Sequence, residues 1–213
     1  MKNQKKEIAG AWTQAAGTII AAIGTSEWLV LDDSAAEALI IIGNELQAAG
    51  SALEADGQDR PSLEKIGNEL QAAGNLSVIA GLVLDPGEES ELKLVITGNL
   101  IQALGSLTVL GDELNDPTAE GRTFQIIGSF LQAIGNSLQA FGTLLFLSTF
   151  LTHPDAAVRN DGKSLDTSGS WIQAAGSVLS ALGQTQEELS EISSKGEQEF
   201  KGFALLNKQH KYN

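Results

Sequence analysis

The 213-residue chain contains no cysteine. That absence excludes disulfides, thiolate metal sites and thiol catalysis together, and it leaves the compartment open. Proline occurs four times and histidine twice, and aromatic side chains make up only 5% of the chain, so any apolar core must come from Leu, Ile, Val and Ala. The histidines are His153, before a proline, and His210, near the C-terminus. Neither has a partner at catalytic or ligand spacing, so His-based chemistry and a multi-His metal site are not expected. Basic residues are scarce too, 13 against 27 acidic ones, for a net charge of −14. No segment combines clustered Lys or Arg with stacking aromatics, which argues against a nucleic-acid partner. No nucleophile, base and orienting group can be assembled from this inventory, so the expectation is a non-enzyme without a cofactor.

What the chain has in excess is glycine, 23 residues, placed in a pattern. Clear copies of one motif are Gly43-Asn-Glu-Leu-Gln-Ala-Ala-Gly50, Gly67-Asn-Glu-Leu-Gln-Ala-Ala-Gly74, Gly98-Asn-Leu-Ile-Gln-Ala-Leu-Gly105, Gly128-Ser-Phe-Leu-Gln-Ala-Ile-Gly135 and Gly169-Ser-Trp-Ile-Gln-Ala-Ala-Gly176. A degenerate copy runs from Gly10 to Gly17, and another, Gly135 to Gly142, is fused behind the fifth. Most copies reach a third glycine seven residues on, at Gly24, Gly57, Gly81, Gly142 and Gly183, while the copy from Gly98 slips by one to Gly111. Self-similarity of this kind signals an array of one supersecondary unit.

Seven residues are two helical turns, so the glycines return to one face of a helix. Each costs about 1 kcal/mol of helix stability relative to alanine. Repeating that cost at one heptad position makes sense where a missing side chain lets a neighbouring helix approach closely. The structural seam is therefore expected at Gly10, Gly17, Gly24, Gly43, Gly50, Gly67, Gly74, Gly98, Gly105, Gly128, Gly135, Gly142, Gly169 and Gly176. At about 100° per residue, the glycines, the Leu or Ile three positions on and the apolar residue before the next glycine are expected to share the buried face. On this reading the Gln lies at its edge, and the Asn, Ser or Thr after each glycine lies on the outer arc.

The glutamines form a column: Gln14, Gln47, Gln71, Gln102, Gln132, Gln139 and Gln173. Primary amides beside a glycine seam can bond to one another or to a neighbouring backbone, so the column is expected to set register between helices. The alternative is a polar channel or ligand groove.

Breakers divide the chain. Ser34-Ala-Ala-Glu37 has capping-box form, Asp116-Pro117 places a cap before a proline, and Arg60-Pro61, Asp85-Pro86-Gly87 and His153-Pro154-Asp155 read as connections. The sequence predicts an all-α fold, a single antiparallel bundle or array of about six helices near 3–25, 34–57, 61–84, 89–114, 117–152 and 163–194. These make one domain over 1–195 with a loosely attached tail over 196–213. Trp12 and Trp171 share one motif slot in the first and last copies and are expected to mark outer helices. The acidic clusters at Asp32-Asp33, Asp85–Glu91, Asp112–Glu120 and Glu187–Glu191 lack calcium-loop spacing and read as solvated helix ends.

The stretch Thr123–Thr152 carries no formal charge and exceeds the roughly 20 residues that span a bilayer. Its scattered amides and the lack of a basic flank favour a central helix surrounded by the others. The N-terminal Lys2–Lys6 run before an apolar stretch has the outline of a secretory signal, but that stretch carries the repeat itself, so a cytoplasmic protein is expected over an exported one.

The quoted Gly-Asn-x-Leu-Gln-Ala-x-Gly copies resemble repetitive helical proteins of unknown function from spore-forming Gram-positive bacteria. The resemblance covers most of the chain and implies a helical repeat without implying an activity. The function expected from the sequence is a non-enzymatic structural or interaction protein, self-associating or bound to a protein partner. The alternative is a membrane-active protein that inserts its uncharged Gly/Ala-rich helices.

Overall fold

A computed structural model describes residues 2–84, 86–115, 120–152 and 155–209, with side chains from 3 to 197 within those spans. It contains six helices, α1 (Lys2–Gly24), α2 (Asp33–Gly57), α3 (Leu63–Val83), α4 (Glu88–Asn115), α5 (Arg122–Leu151) and α6 (Ala156–Gln209), and no strand among the described residues. The chain is all-α, as the repeat predicts.

Local chemistry fixes the helix ends. Asp32, not Ser34, caps α2: its carboxylate accepts from the Ala35 N–H at 2.8 Å, and the Ser34 hydroxyl donates to the same oxygen. Ser62 caps α3 by accepting from the Lys65 N–H at 2.9 Å. Gly87 and Gly121 precede α4 and α5 with φ of 89° and 81°, a backbone region that favours glycine. The α5 helix starts at Arg122 rather than 117, and Asp116-Pro117, Asp85 and His153-Pro154 lie outside the described residues. The α6 helix starts earlier than expected and continues through Gly196 to Gln209, so a helix replaces the expected loose tail over most of its length.

The backbones of α1 and α2, of α3 and α4, and of α5 and α6 pack most closely, forming three antiparallel hairpins. Looser contacts of α2 with α3, α4 with α5 and α6 with α1 close the six helices into a ring. Glycine sets the tight seams. A Cβ added to Gly10 would lie 2.6 Å from the Gly50 carbonyl oxygen, and one on Gly50 would lie equally close to that of Gly10. The same reciprocal contact, at 2.6–2.7 Å, joins Gly17 to Gly43, Gly67 to Gly105, Gly74 to Gly98, Gly128 to Gly176 and Gly135 to Gly169. Gly142 meets Gly162, and Gly24 meets the Ala36 carbonyl and Ile40. The slipped Gly111 is the exception: its nearest neighbour would be Leu63, at 3.9 Å.

The closed ring inverts the expected amphipathicity. In α2 the buried residues are Gly43, Asn44, Gln47, Ala48, Gly50, Ser51, Glu54, Ala55 and Gly57, whereas Ile42 and Leu53 are exposed and Leu46 is half-buried. In α4, Asn99, Gln102 and Ser106 are buried while Leu100, Leu104 and Leu107 face out. With glycine aimed at its partner helix, the Leu three residues on lies on one flank of the seam and the Gln four on lies on the other. Ring closure turns the Gln flank inward. The α5 helix is correspondingly one wall of six rather than a surrounded central helix, and Phe130, Phe141 and Leu144 point outward.

The tryptophans belong to the closing seam between the first and last helices. Trp12 Nε1 donates to Thr185 Oγ1 at 3.1 Å, and Trp171 Nε1 donates to Ser26 Oγ at 2.9 Å while its ring stacks on Trp28. Between them the Thr18 and Ser177 hydroxyls meet in the buried contact of α1 with α6. The array has no free ends to cover.

Candidate functional site

The polar interior is the candidate site, and the repeat builds it. Gln14, Gln71 and Gln132 come from the odd helices α1, α3 and α5 and converge as one triad: Gln14 Nε2 donates to Gln71 Oε1 and, at 3.4 Å, to Gln132 Oε1. Gln47, Gln102 and Gln173 come from the even helices and form a second triad, in which Gln173 Nε2 donates to Gln47 Oε1 at 2.8 Å and to Gln102 Oε1 at 3.3 Å. Gln139, one heptad further along α5, donates to Gln173 Oε1 at 2.8 Å. All six triad members are buried; Gln47 is 2% exposed. The amides therefore occupy the axis, not the edge of an apolar face.

Carboxylates continue the column. Glu7, Glu54, Glu113 and Glu188 are buried and Glu64 half-buried, all at the end of the ring where α1 begins. Gln184 Nε2 links two of them, donating to Glu188 Oε1 at 2.9 Å and Glu7 Oε2 at 3.4 Å. Burial, and then the charge of Glu188 beside it, push the Glu7 carboxyl up to about 8. Burial alone pushes Glu54 up to about 8. Glu64 lies well above the ordinary range through burial and the charges of Glu187, Glu54, Glu7 and Glu113, which shows how these groups converge. Toward the opposite end Asp166 is raised by burial to about 7.

Four spaces follow one another along the axis. A vestibule of about 290 Å³ is lined by Gln4, Glu7, Glu64 and Glu188, with Arg60 and Lys195 among its other residues. Beneath it a void of about 10 Å³ lies among Glu54, Glu64, Gln14, Gln71 and Gln132. Beyond the second triad a cavity of about 250 Å³ has an amide floor (Gln47, Gln102, Gln139, Gln173) and apolar walls including Val78, Val95 and Phe146, with Asp166 at its side. Asp166 also lines an outer hollow of about 420 Å³ that contains Glu27, Asp33 and Lys163. Among the described residues no group of three or more His, Asp or Glu is arranged to hold a metal ion. The arrangement offers a polar, acid-rimmed interior.

Residues 5–181 match a family of unknown function, DUF6944. The chain belongs to that family. The span matched by DUF6944 takes in every repeat copy, both triads, Glu7, Glu54, Glu64 and Asp166, and leaves out Gln184 and Glu188. No curated protein and no solved structure matches the chain.

The glutamines stand out in the sequence as a column, and the acids do not. A signal for them was present: Glu7 precedes Gln14 by seven residues, Glu64 precedes Gln71, Asp166 precedes Gln173, and Glu54 follows Gln47 by seven. An acid at the glutamine's own heptad position lies on the same flank of the helix. Glu188, expected at a solvated helix end, is instead buried against Gln184.

Proposed function

We propose that this protein is a membrane-embedded helical barrel, with its apolar wall toward lipid and its amide and carboxyl groups inside. The observation that carries the reading is the inversion itself. Large apolar side chains stand on the outside of the ring, while the smallest and most polar ones fill it. In water that arrangement leaves Leu100, Leu104, Phe130, Phe141 and many other large apolar side chains exposed, and large exposed apolar patches mark contact with a partner or a membrane; in hydrocarbon it is the favourable one, because polar groups find partners only inside.

Three further features support it. Both α4 and α5 are long and apolar enough to cross a membrane, and only 39% of the most apolar stretch of each is buried, unlike a core helix of a water-soluble fold. Between Lys93 and Asp112 and between Arg122 and Asp155 there is no charge at all. Trp28 and Trp171 stack on each other at the rim where α1 ends, as interfacial anchors do. Among the described residues, nine of the twelve Lys and Arg lie at the end where α1 begins or along the C-terminal part of α6, and three at the other end. By the positive-inside bias, that basic end faces the cytoplasm. In this reading the bilayer replaces the cytoplasmic placement expected from the sequence.

One observation favours a second reading. Glu45 and Glu69 are exposed at mid-height on α2 and α3, where lipid would not cover them. A water-soluble protein that buries the apolar arc of α4, α5, α6 and α1 between copies, the self-associating interaction protein of the sequence reading, accommodates them. Flotation separates the two. Full-length protein expressed in a bacterial host is expected in the membrane fraction after carbonate washing and to float with vesicles of mixed neutral and anionic lipid. A detergent-free, monodisperse oligomer that stays in the aqueous phase would overturn the membrane reading in favour of the second.

A further inference from the structure

We infer that the axis of the ring is a path for monovalent cations, acid-lined at both mouths and closed in this structure by the two glutamine triads. The inference rests on the membrane reading above and adds what the interior handles.

Charge selects the sign once these carboxyls ionise, above about 8 for Glu7 and Glu54 and about 7 for Asp166. Every buried ionised-type side chain of the described interior, Glu7, Glu54, Glu113 and Glu188, is acidic, and none is basic. The far cavity again has a single titratable pair, Glu91 and Asp166, both acids. Lys195 at the vestibule is engaged by Glu191, and Lys163 at the outer hollow by Glu27. Rings of carboxylates and carbonyl-type oxygens are the chemistry that admits cations and rejects anions.

Unpaired polar atoms point to contents other than protein. Gln4 Oε1 has no protein partner although Gln4 is only 8% exposed and lines the acidic vestibule. Glu54 Oε1 is unpaired beside the small void, in a side chain 6% exposed. Gln102 Nε2, a donor that water satisfies, is unpaired and lines the 250 Å³ cavity, in a side chain 2% exposed. Buried polar atoms are almost always satisfied, and acceptors among carboxylates are satisfied by cations and their hydration water. The absence of a chelating cluster among the described residues fits a cation that keeps its water and passes on, since conduction requires weak binding.

The constriction is at the triads. Between vestibule and cavity only about 10 Å³ is open, less than a hydrated ion needs, and Gln14 and Gln173 tie the two layers shut by donating to both of their triad partners. Rotation of these side chains about their own torsions opens the axis without moving a helix, because the glycine seams that hold the wall do not depend on them.

The test is electrical, in a planar bilayer at alkaline pH, where the carboxyls are ionised, with a potassium chloride gradient, on full-length protein first shown to float with vesicles. Wild type or the plug variants Gln71→Ser and Gln102→Ser are expected to conduct with a reversal potential close to that of potassium. Plug variants should conduct at least severalfold more than wild type, and Glu54→Gln with Glu64→Gln should move the reversal potential toward zero. Protein that floats, keeps wild-type helicity in every variant and conducts in none overturns the inference and leaves the membrane reading standing, as does a chloride-selective current. Protein that does not float removes the membrane reading and the path together.

Discussion

Gly135 of α5 and Gly169 of α6 face each other so closely that a Cβ on either would lie 2.6 Å from the other's carbonyl oxygen. The atom met is backbone, which cannot rotate away. In an isolated helix, Gly→Ala would stabilise by about 1 kcal/mol. Here the sign reverses: Gly135→Ala and Gly169→Ala are each expected to destabilise by about 1–3 kcal/mol through overpacking. Gly111→Ala and Gly196→Ala are the controls, since a Cβ at the first meets only Leu63 at 3.9 Å and at the second meets nothing within 4 Å. Thermal unfolding followed by circular dichroism checks the set; equal melting temperatures for all four would refute the close-seam account.

The Gln14 side chain makes a second prediction, from hydrogen bonding. It is buried and supplies the donor to both Gln71 and Gln132. Replacing it with Leu keeps the volume and strands two buried acceptors, each at a cost of about 1–3 kcal/mol. Gln14→Leu should therefore lose markedly more stability than Gln186→Leu, whose site is exposed. If the two variants melt together, the triad is not a bonded unit.

These two variants mark what the sequence could and could not show. The heptad spacing of glycine placed the seams, because a residue whose only asset is a missing side chain has one use at that period. The slip at Gly111 was readable too, and it coincides with an open seam. The direction of the faces was not readable. Leu46 and Gln47 lie on opposite flanks of the same seam, and nothing local states which flank turns inward; only closure of α6 onto α1 does, through Trp12, Trp171, Thr18 and Ser177. Assigning Leu to the core followed the general preference for burying apolar side chains in water, a preference that presupposes the solvent. The acids at the glutamine heptad position are hidden for the same reason, since a carboxylate on the edge of an apolar face reads as solvated.

The buried carboxylates set the pH dependence. Glu54 titrates at about 8 and Asp166 at about 7 when folded, against ordinary values of 4.5 and 3.8. Between the two values of each group the folded state holds a proton that the unfolded chain has released, so stability falls as pH rises. The stabilisation is complete below about pH 4 and is lost progressively up to about pH 8, at roughly 1.4 kcal/mol per pH unit for the fully buried Glu54. The residues lining its void are uncharged apart from Glu64, so no cation offsets the effect. Chemical unfolding in detergent at pH 5 and pH 8 should show the higher midpoint at pH 5, with Glu54→Gln narrowing the difference. A midpoint that rises with pH would contradict the assignment.

The outer wall gives the last prediction, because it separates fold from environment. Phe130 and Leu104 are about half exposed and stand within uncharged stretches of α5 and α4. Neither lies on a glycine seam or on the axis, so Phe130→Lys or Leu104→Lys leaves the hairpins and triads intact. A lysine at the centre of a lipid-facing helix costs about 2.5–3.5 kcal/mol on insertion. Each variant should therefore keep its helix content and melting temperature in detergent while its recovery in floated vesicles drops severalfold, and Glu45→Lys, on a side already charged, should change recovery little. Equal recovery for all three would mean that lipid does not touch the α4–α5 wall.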